Sequence, residues 1–134
     1  MSIASLALGL LLVAGEDPDA YRRLVDEAVA AGRAGQLESA RTLLDRAIAL
    51  EPKRSEALAE RGGAFFVEGR YDLAAEDLER ALESREDPWT RELLASSYLL
   101  LGRTDEALES WNLIGGPILR SVRTKGGSDA VHAL

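Results

Sequence analysis

No cysteine occurs among the 134 residues, and there is a single histidine. Without thiols there can be no disulfide framework, zinc-thiolate site or cysteine nucleophile, so the fold must stand on packing and the redox compartment is left open. Cations are short as well. Sixteen Lys and Arg face 23 Asp and Glu, and the resulting net charge of −7 argues against non-specific binding to phosphate backbones. Nucleic acid is therefore not an expected partner. Valine and isoleucine are too sparse to build a sheet. The one long uncharged apolar stretch, Ile3 to Val13, is too short to span a bilayer as a mature helix.

What is present suits one compact domain: 46% hydrophobic and 29% charged residues, too apolar for a disordered chain. Residues 1–15 stand apart as an apolar leader, because charge begins abruptly at Glu16. The leader has the length of a signal-peptide core, and Val13-Ala14-Gly15 supplies small residues where a peptidase would cut. The expectation is an exported protein, periplasmic or envelope-associated. The leader has no Lys or Arg, which keeps a second reading open: a hydrophobic N-terminal helix that caps or anchors a cytoplasmic protein.

From Asp17 onward, apolar or small residues recur at three-and-four spacing: Leu24, Ala28 and Ala31; Leu44, Ala47 and Ile48; Leu78, Ala81 and Leu82; Leu94, Ala95 and Tyr98. Each set makes one buried stripe of a helix. Asp17-Pro18 and Asp87-Pro88 each place an N-cap acid before a proline at the first helical position, where its missing N–H costs nothing. Gly35, Gly69 and Gly102 mark helix ends, and Pro52 follows another. The spacing predicts helices over 18–33, 37–50, 54–68, 71–84, 88–101 and 104–113.

These helices repeat. GQLESARTLLDRAI (35–48), GRYDLAAEDLERAL (69–82) and GRTDEALESWNLI (102–114) share a glycine followed five positions on by an alanine. Gly35 to Gly69 and Ala40 to Ala74 are both 34 residues apart, while Gly69 to Gly102 and Ala74 to Ala107 are both 33 apart. An irregular bundle with accidental alanine spacing would not keep one offset at two landmarks. A two-helix unit of this period resembles the tetratricopeptide repeat over residues 18–114, in three copies at about 18–52, 53–86 and 87–114. The matching positions are Leu24, Ala28, Ala31, Ala40, Leu44, Ala47 and Pro52; then Leu58, Gly62, Phe65, Ala74, Leu78 and Ala81; then Leu94, Ala95, Tyr98, Ala107, Trp111 and Ile114. The resemblance implies an all-α fold, a right-handed superhelix of three helix-turn-helix repeats. Ala40, Ala74 and Ala107 would allow close approach of the paired helix, and a single copy could not bury its own apolar face.

Glu27 and Arg91 depart from the pattern, since both stand where an apolar residue is usual, and Pro88 comes two residues later than the position of Pro52 implies. The junction between copies two and three is expected to be loosened. Beyond the third copy, Gly115-Gly116-Pro117 should stop the helix, and Ile118, Leu119 and Val122 interleaved with Arg120, Arg123 and Lys125 suit a short extended tail over 115–134. This tail resembles the point where helical repeats hand over to a β-rich domain in some bacterial envelope-assembly proteins.

Little chemistry is written in the sequence. His132 reads as an ordinary surface residue rather than a base or ligand, and Glu76-Asp77-Glu79 and Asp105-Glu106 read as solvated helix faces rather than metal or acid-base sites. GRAGQ and GRYDL lack the lysine and spacing of a phosphate loop. No catalytic residue, metal site or small-molecule cofactor is expected. The resemblance implies instead a protein–protein interaction module that holds a peptide or partner helix in its concave face. The alternatives are an N-terminal scaffold portion of a larger envelope-assembly protein and self-association through the C-terminal repeat. Carried over position by position, the groove would be lined by Arg22, Val25, Val29 and Arg33, by Glu56, Ala59, Gly63 and Phe66, and by Trp89, Glu92, Ser96 and Leu99. Family members that clamp a terminal carboxylate do so with lysine and asparagine where Val25 and Val29 stand, so that mode is not expected. Phe66 and Trp89 are the expected aromatic anchors, although Trp89 could equally staple the junction beside Pro88.

Overall fold

A computed structural model describes residues 17–126, with 116–126 described by backbone alone. The apolar leader, 1–15, and His132 lie outside the described residues. Among the described residues six helices follow one another: α1 (Ala20–Arg33), α2 (Leu37–Leu50), α3 (Ser55–Val67), α4 (Tyr71–Ser84), α5 (Pro88–Leu100) and α6 (Thr104–Gly126). No strand occurs among the described residues. The chain divides into two compact units, Met1–Pro52 and Lys53–Leu134, where composition suggested one. The division falls where the first repeat was expected to end.

One turn is written three times, and it explains the glycines. Gly35, Gly69 and Gly102 have φ of 78°, 77° and 80°, the only positive values among the described residues. After each, the next residue's N–H reaches back five residues: Gln36 to the Ala31 carbonyl (2.9 Å), Arg70 to Phe65 (2.9 Å) and Arg103 to Tyr98 (2.8 Å). The glycine N–H bonds the carbonyl three back, on Gly32, Phe66 and Leu99 respectively. This double bond pattern satisfies helix-end carbonyls and requires a left-handed residue, which glycine supplies without a Cβ clash.

In the first unit, Tyr21, Ala28 and Ala31 of α1 are buried, as are Ala40, Leu44 and Ala47 of α2. In the second unit the core joins Ala74, Ala75 and Leu78 of α4 to Leu94 and Tyr98 of α5 and Ala107 of α6, with Phe65, Phe66, Leu82, Leu93 and Trp111 packed around it. At Gly62 α3 lies close against α4. A β-carbon there would stand 2.7 Å from Leu78 Cγ and 3.3 Å from the Ala74 carbonyl oxygen, so the small residue is a packing requirement.

Three expectations need correction. Asp17 and Pro18 do not open α1: they form a turn, with Asp17 Oδ1 accepting from the Asp19 N–H at 2.9 Å, and the helix begins at Ala20. Asp77 is not on a solvated face. It is 3% exposed and takes a fork of two bonds from Arg61, Nε to Oδ2 at 2.6 Å and Nη2 to Oδ1 at 2.9 Å. Burial of a carboxylate is tolerable when a guanidinium satisfies both oxygens. The tail is not extended from Gly115, since α6 runs unbroken through Gly115-Gly116-Pro117 to Gly126. Proline removes one helix donor, and Ile118, Leu119 and Val122 are spaced as suitably for a helix face as for an extended segment. Residues 127–134 lie outside the described residues.

The junction before α5 is tied rather than loose. Asp87 caps α5, with Oδ2 accepting from the Thr90 N–H at 2.9 Å and from its hydroxyl at 2.7 Å, and Pro88 is the first helical residue. Arg91 stands in an apolar slot with its side chain only 16% exposed, and its guanidinium forks onto both carboxylate oxygens of Glu86. The Ser84 hydroxyl donates to the Lys53 carbonyl, fastening the end of α4 to the start of the unit.

Candidate partner-binding site

The twelve expected groove residues fall on three helices. Arg22, Val25, Val29 and Arg33 run along α1 in the first unit, with the two valines half-buried and the two arginines exposed. The other eight belong to the second unit, on α3 and α5. There the structure brings four of them together. Glu56, Ala59 and Gly63 follow one another along α3 at turn spacing, and the indole of Trp89 at the start of α5 reaches over Gly63, its Cη2 3.5 Å from the position a β-carbon would take. The ring lies against the helix at this position, with room for no more than a small residue's β-carbon beneath it. Leu93 Cδ2 meets the same position at 3.7 Å.

A groove of about 180 Å³ opens beside this contact, with Glu56, Ala59 and Trp89 in its walls. Ser55, Glu60, Ala81, Arg85, Asp87 and Thr90 complete it, none of which the repeat register pointed to as a binding residue. Ser55 and Glu60 come from the first two turns of α3, Ala81 from the last turn of α4, Arg85 and Asp87 from the α4–α5 connection and Thr90 from the first turn of α5. For Ser55, Asp87 and Thr90 the sequence signal that could have found them is their position beside helix starts, where backbone and side-chain polar groups gather. Trp89 is 53% exposed, so one edge of the ring packs and the rest remains open.

Of the remaining positions, Ser96 is half-buried, while Glu92 and Leu99 are exposed on α5, and none of the three lines that groove. Phe66 differs more from expectation. It is half-buried, packs against the core and meets the Tyr71 ring edge-on with centroids 5.3 Å apart. It is a packing residue as much as a surface one. The neighbouring Phe65 carries the Arg70 guanidinium 5.1 Å above its ring, and Tyr98 carries Arg103 at 4.4 Å, the same pair one repeat later.

Within the site the Asp87 carboxyl is held below the usual range by the Thr90 N–H and then by the Thr90 hydroxyl, as a helix cap should be. Just outside, the Arg91 guanidinium lowers Glu86 and is itself raised by that hydrogen bond. Among the described residues no group of three or more His, Cys, Asp or Glu could hold a metal ion, and no helix is long and apolar enough to cross a membrane. The arrangement offers an apolar ring, a small trough and a polar rim.

A family profile described as the tetratricopeptide repeat matches residues 25–88. Among curated proteins, none matches the sequence. Among solved structures, the chain is similar to the first TPR domain of human RPAP3, at 14% identity over 74% of this chain and 79% of that one, TM-score 0.69. It is similar also to the type III secretion translocator chaperone SycD of Yersinia enterocolitica, at 21% identity over 84% of this chain and 89% of that one, TM-score 0.69. These two likenesses speak for the fold alone. A thermophilic TPR protein of Thermus thermophilus is 30% identical over 83% of this chain and 59% of that one, TM-score 0.57. With its glycine-ended helix pairs and the profile match across 25–88, the chain belongs to the tetratricopeptide repeat family.

Proposed function

We propose that the protein is a non-enzymatic interaction module that holds an apolar side chain of a partner peptide or helix against Trp89, in the trough bounded by Glu56 and Ala59. The supporting observation is the half-exposed indole resting on Gly63 beside that trough. A ring fixed on one edge gives up little conformational freedom on binding, and such pre-ordered aromatics carry much of the energy in protein contacts. At about 180 Å³ the trough suits a single side chain. Small-molecule and cofactor sites run larger, about 300–1,000 Å³. The neighbour SycD, a translocator chaperone by its description, shows that this fold serves protein partners elsewhere.

The test uses fluorescence. In a Trp111→Phe background Trp89 is the only tryptophan. Segments chosen from a displayed peptide library for binding to the full chain should shift its emission on titration, and Trp89→Ala should weaken their binding by about 1–2 kcal/mol. Selected peptides that leave Trp89 emission unchanged and bind Trp89→Ala as well as wild type would place the binding face elsewhere.

A further inference from the structure

A larger groove, about 430 Å³, lies among α4, α5 and α6 and shares no residue with the site above. Its base is apolar: Leu94 and Tyr98 are buried there, Leu82 is half-buried, and Leu113 on the α6 wall is 65% exposed. Glutamates stand on both walls, Glu79 and Glu83 from α4 and Glu106 and Glu109 from α6. Two of them are engaged: Glu79 accepts the Tyr98 hydroxyl and Glu106 pairs with Arg103. Arg91 also lines the groove, but its guanidinium is occupied by Glu86. Glu83 and Glu109 have no cationic partner among the described residues. An apolar trough between uncompensated carboxylates selects a segment that carries aliphatic side chains and cations together.

The chain contains one such segment. Between Glu109 and Asp129 the only charges are Arg120, Arg123 and Lys125, set among Ile118, Leu119 and Val122. No other interval between successive acids holds three cations. This segment does not return to the groove of its own copy. Because α6 is one helix over Thr104–Gly126, position 120 stands about 16 Å further along the axis than Glu109, at 1.5 Å per residue. We propose that the groove receives residues 118–125 of a second copy, and that reciprocal exchange of the two segments closes a twofold dimer. The dimer contact is then separate from the Trp89 site.

Sedimentation velocity of the full chain across a concentration series tests this directly. The wild type should dimerise, more weakly in high salt because the charge pairs are screened. Glu83→Lys with Glu109→Lys, or Arg120→Glu with Arg123→Glu, should each raise the dimer dissociation constant about 10-fold or more, and the four changes together should return it to within about 3-fold of wild type. Glu83→Gln with Glu109→Gln provides a milder variant should the lysine pair fail to fold, and it should weaken the dimer in the same direction. A chain that stays monomeric at about 500 µM overturns the proposal, as does a dimer that both charge reversals leave intact or that the combined reversal does not restore. A monomer that binds a synthetic peptide of residues 117–126 would assign the groove to some other basic segment and equally overturn the second-copy reading.

Discussion

Trp89 Cη2 lies 3.5 Å from the place where Gly63 would carry a β-carbon, whereas the same atom added to the adjacent Gly62 would meet Leu78 Cγ at 2.7 Å. Of these two consecutive glycines in one helix, packing requires only Gly62 to be small. At Gly63 the contact is ordinary van der Waals distance, so Gly63→Ala recovers helix propensity without a clash. We expect it to stabilise the chain by about 0.5–1 kcal/mol. Gly62→Ala must instead displace a branch point of a fully buried leucine and should cost about 1–3 kcal/mol. Urea unfolding of the two variants side by side checks the pair, and a shared sign would mean that the α3–α4 approach is not as close as described.

Phe66→Ala tests a different property of the same helix. Because the ring packs on the core and against Tyr71, its loss should cost about 1–3 kcal/mol of stability, less than a fully buried phenylalanine. Any drop in partner binding is then to be read against that loss. Trp89→Ala, with 53% of the residue already open, should cost about 1 kcal/mol or less. Thermal melts that rank the two variants the other way round would reverse the roles assigned to these rings.

The Arg61–Asp77 pair joins α3 to α4 through two bonds in a site where the aspartate is 3% exposed. Removing only the acid takes both of those bonds away from a guanidinium whose side chain is 20% exposed. Asp77→Ala should therefore cost about 3–5 kcal/mol, whereas Glu76→Ala, on the exposed side of the same turn, should stay within about 0.5 kcal/mol. Equal small effects in chemical denaturation would show that Asp77 is solvated after all.

What the sequence made legible, and what it did not, follows from the range over which each signal acts. Gly35, Gly69 and Gly102 could be read because a left-handed turn residue is a purely local demand, and the 34- and 33-residue offsets made that demand countable. Asp77 could not, because its burial depends on Arg61 sixteen positions earlier on another helix, and nothing local distinguishes it from Glu76. Pro117 misled in the opposite direction: a strong local breaker was outweighed by flanking residues that continue a helix. At the candidate site, the repeat register gave Glu56, Ala59, Gly63 and Trp89. It was silent on Ser55 at the start of α3, and on Arg85 and Thr90, which reach the trough through the path of the α4–α5 connection rather than through helical periodicity. The register set Phe66 on the groove face, but the structure packs it on the core and against Tyr71, across a turn that periodicity does not describe.

Asp87 links the edge of the candidate site to pH. Its carboxylate accepts the Thr90 N–H and hydroxyl, which hold its pKa below the usual value in the folded state. A depressed folded-state value means that the cap's contribution is fully present above the ordinary aspartate range, near 3.9, and is lost as pH falls through that value toward the lowered one. Asp87→Asn keeps an oxygen that can cap the helix but removes the titrating charge, while Asp87→Ala removes the cap and should cost about 1 kcal/mol at neutral pH. The stability difference between wild type and Asp87→Asn should shrink between about pH 5 and pH 2, because protonation makes the two side chains alike. The same loss should loosen the first turn of α5 and with it the seat of Trp89, two residues along. Trp89 emission in the Trp111→Phe background is therefore expected to change over this acid range in wild type and to stay flat in Asp87→Asn. An emission change of equal size in both proteins would show that some group other than Asp87 sets the acid response at this end of the trough.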